Sequence, residues 1–423
     1  MKVKTLKVFA VLSVAVFVLS LTSSEALATN GYFSHGYGTQ SKAMAGVGVA
    51  LPLNTMDAAT NPATMVFLGT RYDVSVSLFN PNREYTVTGN PSMMEGTFGL
   101  APGTVESDSK TFFIPSLGAN WMLNPQSSFG LSIYGNGGMN TDYDTNTFWG
   151  TTPTGVNISQ LFVSGTYARK INDNHGLGLS AIFAYQYFSA DGLEAFANFS
   201  TDGTKLTGND NSNSTGFGFR VGYMGYILPN LSLGASYQSK IYMSEFDDYA
   251  GLFAEKGDFD IPANWTVGLA YNATDALTFA FDVQQILYSG IKAINNPMNP
   301  ADFQQGILLG SDDGAGFGWD DMMIFKFGVQ YAAIPTWTFR AGYSFGEQPI
   351  PESEVMFNIL APGVIEQHIT FGLSKMIGEK EVSLSVMHAF SNSVSGPNPM
   401  EVPDQQEIEL KMDQWEFEIG FAF

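Results

Sequence analysis

The chain ends with the sequence Trp415-Glu416-Phe417-Glu418-Ile419-Gly420-Phe421-Ala422-Phe423. Every odd-numbered position holds a large apolar side chain, and every even-numbered position holds a small or charged one. Because successive side chains of a β-strand point to opposite faces, this stretch predicts a strand with one continuous apolar face. Such a strand suits either a membrane-spanning β-barrel or a β-sandwich.

The same alternation recurs along the chain and predicts fourteen strands. Most of them are long enough to cross a bilayer at a tilt of about 45°. The predicted strands are 71–80, 111–123, 128–136, 157–170, 176–190, 214–227, 231–244, 263–272, 276–289, 321–333, 336–347, 364–376, 380–391 and 411–423.

The connections between these strands are alternately long, about 16–31 residues, and short, about 2–5 residues. Several short connections carry turn-forming residues, such as Asn124-Pro125 and Pro229-Asn230. Outer-membrane barrels have short periplasmic turns and long external loops, whereas a β-sandwich has no reason to keep this order. The sequence therefore predicts an all-β fold, a 14-stranded antiparallel transmembrane β-barrel.

The composition excludes several classes of protein. Asp and Glu number 40 against 19 Lys and Arg, which gives a net charge of −21 and argues against nucleic acid as a partner. Charged residues make up only 14% of the chain, whereas soluble proteins usually contain about 25%. The absence of cysteine excludes thiol catalysis, disulfides and cysteine-ligated zinc.

Residues 1–28 have the pattern of a secretory signal peptide. A positively charged start is followed by the apolar stretch Val8–Leu21 and then by Ala26-Leu27-Ala28, which predicts cleavage after Ala28. An N-terminal membrane anchor is the alternative, although the apolar stretch is shorter than the roughly 20 residues that a spanning helix needs.

Residues 29–70 are rich in Gly and Ala and lack strand alternation, so we expect them to form a plug inside the barrel of residues 71–423. An empty barrel of this width would leave an aqueous channel, and larger barrels are often plugged. The alternative is a flexible periplasmic tail, but residues such as Tyr32, Phe33 and Met44 supply apolar side chains for packing.

The stretch from Gly31 to Ala63, which ends in Asn61-Pro62-Ala63, resembles the N-terminal hatch of the FadL-type long-chain fatty acid transporters. The resemblance extends over the whole mature chain, with a hatch, fourteen strands and a terminal Phe. Four further short motifs also resemble this family: Ser159-Gln160-Leu161-Phe162, Gly318-Trp319-Asp320-Asp321, Arg340-Ala341-Gly342-Tyr343 and Gln348-Pro349-Ile350-Pro351.

This resemblance implies passive uptake of long-chain fatty acids or, as in some relatives, aromatic hydrocarbons. External loops such as 81–110 and 290–320 would capture the hydrophobic ligand, which would pass to a lumenal site and leave sideways at an inward kink of the third strand. The resemblance also implies a monomer in the outer membrane of a Gram-negative bacterium, in contact with lipid and lipopolysaccharide. Phe423 would be recognised by the barrel-assembly machinery.

Two sets of residues are candidates for gating and lateral release. The hatch motif Asn61, Pro62 and Ala63 is expected to shift when ligand binds, and an ordinary turn is the alternative. A cluster at the end of the third predicted strand is expected to form the kink, because glycines weaken a strand ladder. It consists of Gly135, Asn136, Gly137 and Gly138, and the alternative is an ordinary strand end.

Strand parity predicts that four cations face the lumen, where they are candidates to bind a ligand carboxylate. They are Arg220, Lys240, Lys326 and Arg340. Because Asp282, Glu416 and Glu418 face inward by the same parity, ion pairs between plug and wall are the alternative.

The sequence predicts no enzyme, cofactor or metal site, because no phosphate-binding loop, HExxH or EF-hand pattern occurs. The four histidines show no arrangement of a catalytic triad. Two other functions stay open for a barrel: a general diffusion porin with an open lumen, and an adhesin whose loops bind a partner.

Overall fold

The computed structural model describes residues 30–423, so the predicted signal peptide lies outside the described residues. A closed antiparallel sheet forms the barrel, as predicted. Its wall strands are β1 Arg71–Thr88, β3 Phe112–Asn124, β4 Ser127–Asp142, β5 Gly155–Asn172, β6 His175–Asp191, β7 Ser212–Leu228, β8 Leu231–Gln238, β10 Asn264–Asn272, β11 Leu277–Ile286, β12 Met322–Ile334, β13 Trp337–Gly346, β14 Gln367–Ile377, β15 Lys380–Pro397 and β16 Glu407–Ala422. Two short strands, β2 Gly103–Glu106 and β9 Tyr242–Met243, pair with β1 and β7.

Helices are short and lie before the first strand or in the long connections. The α-helices are α1 Thr39–Lys42, α2 Met65–Leu68, α3 Ala254–Gly257, α4 Lys292–Asn295 and α5 Pro300–Gln304. The 3₁₀ helices are Thr55–Ala59, Pro62–Thr64, Glu194–Phe199, Gly203–Lys205, Asp247–Tyr249, Tyr288–Gly290, Glu352–Glu354 and Phe357–Ile359. Within residues 30–423, no helix is both long and apolar enough to cross a membrane.

Pairing of the first and last wall strands closes the barrel. β1 and β16 stay in register from Asp73↔Ala422 to Thr88↔Glu407. Beyond this ladder, Tyr72 and Phe423 exchange two backbone hydrogen bonds of 3.0 Å, and their rings stack at 5.5 Å. Because β1 and β16 pair with each other, neither end of the sheet is left as a free edge strand whose backbone polar groups would need water.

Several wall strands extend beyond their predicted ends on the side of the long connections. β1 continues to Thr88 instead of residue 80, β4 to Asp142 instead of 136, and β15 to Pro397 instead of 391. The extensions carry polar residues such as Asn82 and Ser395, so the apolar alternation stops although the backbone ladder continues. Alternation marks the lipid-facing part of a strand, whereas hydrogen bonding defines its full length.

One predicted strand, 231–244, is too long, because β8 ends at Gln238. The hydroxyl oxygen of Ser239 accepts a hydrogen bond of 3.0 Å from the backbone N–H of Phe219. Ser239 directly follows the last residue of β8. Local hydrogen bonds between serine side chains and the backbone compete with strand pairing, which favours the end of the strand here. The chain then pairs again with β7 through Tyr242 and Met243.

Residues 30–70, here called the N-terminal segment, pack against the lumenal face of the wall and are mostly buried. The ammonium group of Lys42 pairs with Glu416 and, at 2.7 Å, with Glu418, both on β16. It also donates a hydrogen bond of 2.9 Å to the hydroxyl of Ser77 on β1. The segment is therefore attached to the two strands that close the barrel.

We expect Lys42→Met to detach this part of the N-terminal segment, because Glu416 and Glu418 would then be buried without their cation. Removing one partner of a buried ion pair costs about 3–5 kcal/mol. The temperature at which the purified protein loses its compact gel mobility should fall clearly. Lys292→Met is the matched control, because Lys292 lies in an exposed ion pair with Glu255 and Asp313. Equal shifts in both variants would contradict the prediction.

Candidate functional site

Asn61 connects the N-terminal segment to itself and to the wall. Its side-chain amide donates to the carbonyl oxygens of Val49, at 2.6 Å, and of Tyr223 on β7, at 2.8 Å. Its side-chain oxygen accepts from the N–H of Ala63 at 3.0 Å and so caps the short helix Pro62–Thr64. All the polar atoms of this buried amide are therefore used to hold one local shape.

Two wall glycines allow the Asn61-Pro62-Ala63 motif to approach the barrel. A Cβ at Gly178 on β6 would collide with the backbone of Pro62 and Ala63, and one at Gly222 on β7 would collide with the side chain of Asn61. Close backbone approach is a common reason for glycine inside a strand. The motif is thus seated against the wall through β6 and β7.

The predicted kink residues lie inside β4, not at its end. A β-bulge places Asn136 opposite no residue of β5, between the pairs Gly135↔Leu161 and Gly137↔Gln160. The N-terminal segment pairs with the bulge: Ser34 N–H donates to the Asn136 carbonyl, and Gly138 N–H donates to the Tyr32 carbonyl, both at 3.0 Å. The N-terminal segment and β4 therefore form a short ladder of backbone hydrogen bonds at the bulge.

The same region interrupts the ladder between β3 and β4. These strands pair from Leu117↔Ile133 to Asn124↔Ser127. Beyond that point β3 continues beside β1 as far as Phe112, and β4 continues beside β5 as far as Asp142. We call the divergence between 112–116 of β3 and 134–138 of β4 the β3–β4 gap.

A narrow apolar cavity lies among the long connections, at the end of the barrel opposite the short turns. Its volume is about 40 Å³, so a ligand would enter only by separating the side chains that line it. The lining includes Phe188, Phe196, Leu206, Phe253, Leu309, Phe317, Phe357 and Leu360, and no charged side chain contributes to it. We call it the loop cavity.

Aromatic side chains connect the loop cavity to the bulge of β4. The rings of Phe253 and Phe259 lie 4.9 Å apart, and those of Phe259 and Tyr32 lie 6.2 Å apart. Tyr288 packs on Tyr32 at 5.6 Å, and its hydroxyl donates to the Asn30 carbonyl at 2.5 Å. Because Tyr32 also pairs with β4, displacement of the loop aromatics would reach the β3–β4 gap through direct contacts.

The four candidate cations do not form one cluster, because their partners differ. The guanidinium of Arg220 donates to the carbonyl of Ala58, at 3.3 Å, and to the side-chain oxygen of Gln238. Lys326 donates to the His35 carbonyl at 3.0 Å. Both therefore bind the N-terminal segment.

Arg340 lies on the lumenal side and donates to the side chains of Gln330 and Ser374, at 2.9 and 2.6 Å. Lys240 lies between β8 and β9 instead of within a strand. The four cations lie outside the lining of the loop cavity.

Lys240 belongs to an acidic group in the external connection 239–263. Its ammonium group pairs with Asp260 at 2.6 Å. Burial, and then the neighbouring carboxylate of Asp260, raise the pKa of Asp258 to about 7. The charge of this cluster therefore changes near neutral pH, whereas the loop cavity itself contains no titratable side chain.

Comparison with known proteins identifies the chain. Residues 15–362 match the model of a family described as outer membrane protein transport protein (OMPP1/FadL/TodX). The chain belongs to this family. Membership and the barrel together place this transport protein in the outer membrane of a Gram-negative bacterium.

Curated relatives of this FadL/TodX-family protein include the long-chain fatty acid transport proteins of Escherichia coli strain K12, at 23% identity, and of Salmonella typhi, at 24% identity. Both alignments cover 100% of each chain. Among solved structures, a Pseudomonas aeruginosa FadL homologue matches with a TM-score of 0.69 at 16% identity, covering 93% of this chain and 99% of the other.

The Pseudomonas putida toluene transporter TodX matches with a TM-score of 0.65 at 16% identity, covering 92% of this chain and 98% of the other. These two structural matches show the shared fold.

The loop cavity is only partly lined by residues of the predicted capture loops. Leu309 was in a predicted capture loop, but Phe188, Phe253 and Phe357 come from three other regions of the chain. Met93 of the predicted loop 81–110 is 86% exposed, and residues 81–88 belong to β1.

We expect Gly137→Val to break the ladder between the N-terminal segment and β4, because its Cβ would lie only 1.9 Å from the Tyr32 carbonyl oxygen. The chain has no cysteine, so Ser34→Cys can report the change by maleimide labelling. Labelling should become several-fold faster in the Gly137→Val background. Gly165→Val on the adjacent strand β5 is the control, because its Cβ meets nothing within 4 Å. Unchanged labelling in Gly137→Val would show the ladder to be dispensable.

Proposed function

We propose that this protein carries long-chain fatty acids or similar hydrophobic molecules passively across the outer membrane. The observation that supports this proposal is the continuous apolar connection from the loop cavity, through Phe259 and Tyr32, to the β3–β4 gap. External connections capture the ligand, and the lumen holds it. The gap releases it sideways into the bilayer.

Lateral release fits the chemistry of such a ligand. A hydrophobic molecule loses favourable free energy if it passes through the aqueous periplasmic end of a barrel, because apolar surface would be hydrated again. An interruption of the β3–β4 ladder at membrane depth offers a route from the apolar interior to lipid. Gly135, Asn136, Gly137 and Gly138 form the edge of this route, and we assign them the role of the lateral kink.

The N-terminal segment would act as the hatch. Asn61, Pro62 and Ala63 fix it against β6 and β7, while Tyr32 and Ser34 fix its start against the bulge. Its buried contacts on several strands argue against a general diffusion porin, which needs an open lumen. We therefore propose a gated carrier of hydrophobic ligands, with no catalytic role and no cofactor.

The ligand class rests on the cavity lining and on the relatives. The relatives are named for long-chain fatty acids and for toluene, and an apolar lining suits either an acyl chain or an aromatic ring. We propose that the protein works as a monomer in contact with lipid and lipopolysaccharide. Phe423, which lies at the closing seam, would be the signal for the barrel-assembly machinery.

Cells that lack their own fatty acid transporter should take up labelled oleate when they express this protein. Phe253→Asp should reduce this uptake about tenfold or more, because it puts an unpaired charge into the apolar loop cavity. Phe253→Leu, which keeps the site apolar, should retain most of the uptake, and Met93→Asp on the exposed surface should match the parent. Equal uptake by Phe253→Asp and the parent would remove the loop cavity from the pathway.

Asn61→Ala should reduce oleate uptake in folded barrels, because it leaves the carbonyls of Val49 and Tyr223 without their donor. A buried unpaired group costs about 1–3 kcal/mol, so the hatch should lose its fixed position. Asn61→Asp keeps the cap on Ala63 but cannot donate, and it should show the same defect. Normal uptake by Asn61→Asp would mean that only the cap matters. Gel mobility before and after heating checks that each barrel is folded.

A further inference from the structure

Arg83 is a buried cation on the lumenal face of β1. Its side chain is 3% exposed, and among residues 30–423 no acidic side chain forms an ion pair with it. Nη1 donates a long hydrogen bond of 3.3 Å to the Ser109 carbonyl, and Nη2 has no hydrogen-bond partner in the described structure. A buried charge normally has a partner, because an unpaired one is costly.

A second unpartnered polar group lies beside it. Gln414 on β16 is fully buried, and both its amide nitrogen and its amide oxygen lack hydrogen-bond partners in the described structure. The register pairs Arg83 with Met412, which makes Gln414 the diagonal neighbour of Arg83 on the same lumenal face. Diagonal neighbours have Cα atoms about 7–8 Å apart, within reach of long side chains.

Arg83 borders the β3–β4 gap. The guanidinium carbon of Arg83 lies 6.0 Å from the ring centroid of Phe112, the first residue of β3 and one edge of the gap. Ser109, which accepts from Arg83, belongs to the connection that leads into β3. Phe79 lies on the same face of β1 as Arg83, four residues earlier in the chain. Its ring packs against that of Phe112 at 6.2 Å and supplies apolar surface.

We propose that Arg83 and Gln414 bind the carboxylate of a long-chain fatty acid at the β3–β4 gap. This inference rests on the proposed function and selects an acid as the ligand class. Nη2 of Arg83 and Nε2 of Gln414 donate to the carboxylate oxygens, while the acyl chain lies on the aromatic side of the gap. The ligand charge neutralises the buried guanidinium, which a neutral hydrocarbon does not do.

The other lumenal cations are less suited to this role. Arg220 and Lys326 bind carbonyls of the N-terminal segment, and Arg340 binds two wall side chains. A ligand would have to compete with these contacts. Arg83 instead offers a free donor, so charge-assisted hydrogen bonds form without breaking others.

The test compares two probes of equal chain length, labelled oleate and labelled oleyl alcohol. Equilibrium binding to the full purified protein in a non-ionic detergent is measured beside uptake by cells. Arg83→Gln should weaken oleate binding about tenfold or more and leave oleyl alcohol unchanged. Arg83→Lys, which keeps the charge, should restore part of the oleate affinity. Lys110→Gln is the control, because this neighbouring cation is exposed and pairs with Glu106.

The outcomes separate this site from the proposed function. Wild-type oleate binding by Arg83→Gln, or an equal loss of both probes, would overturn the carboxylate site, since the second result indicates packing alone. A parent that binds no oleate overturns it too, even if that parent transports hydrocarbons. If oleate binding depends on Arg83 but cells show no uptake, the site stands and the transport proposal fails.

Discussion

The structure depends on the requirement that every backbone N–H and C=O group in the membrane finds a partner within the protein. A sheet meets this requirement only when it closes, and here closure is made by β1 and β16. The final residue takes part, because Phe423 exchanges backbone hydrogen bonds with Tyr72. The same seam supplies the side chains that hold the N-terminal segment, since Glu416 and Glu418 project from β16 toward Lys42.

The two faces of the barrel wall lie in different surroundings, lipid outside and the N-terminal segment inside. The outward face presents large apolar side chains to lipid, such as Phe279, Phe371 and Phe421. The inward face combines polar residues with buried apolar ones such as Phe79 and Phe162, and the N-terminal segment makes specific polar contacts with it. Buried polar networks of this kind fix one arrangement, because any shift leaves groups unpaired. The N-terminal segment therefore has one defined position against the wall, held by contacts such as those of Lys42 and Asn61.

The β3–β4 gap lies where this arrangement is interrupted. Where β4 leaves β3, the carbonyl of Asn136 accepts from Ser34 and the N–H of Gly138 donates to Tyr32, so these two backbone groups keep partners. The aromatic contacts from Phe253 through Phe259 to Tyr32 connect the loop cavity to this gap. In the proposed function, passive transport needs no more than this coupling, because the concentration gradient supplies the direction. Arg83 would add selectivity for acids at the last step before release.

The sequence by itself determined the barrel, its number of strands and the alternation of its long and short connections. Side-chain alternation with period two is a local property of a strand, and the order of long and short connections follows from membrane crossing. The family resemblance also singled out Asn61-Pro62-Ala63. Strand ends were less predictable, because polar extensions such as that of β1 keep their ladder after alternation stops.

Only the tertiary structure decided which lumenal groups have partners. Parity places Arg220, Lys326 and Arg340 inward, but it cannot show that their donors are already used. Arg83 was assigned to a loop, and its isolation depends on β16 and on the connection before β3. Such partnerships join residues hundreds of positions apart through the register around the ring. No local pattern encodes that register, because it is fixed only when the sheet closes.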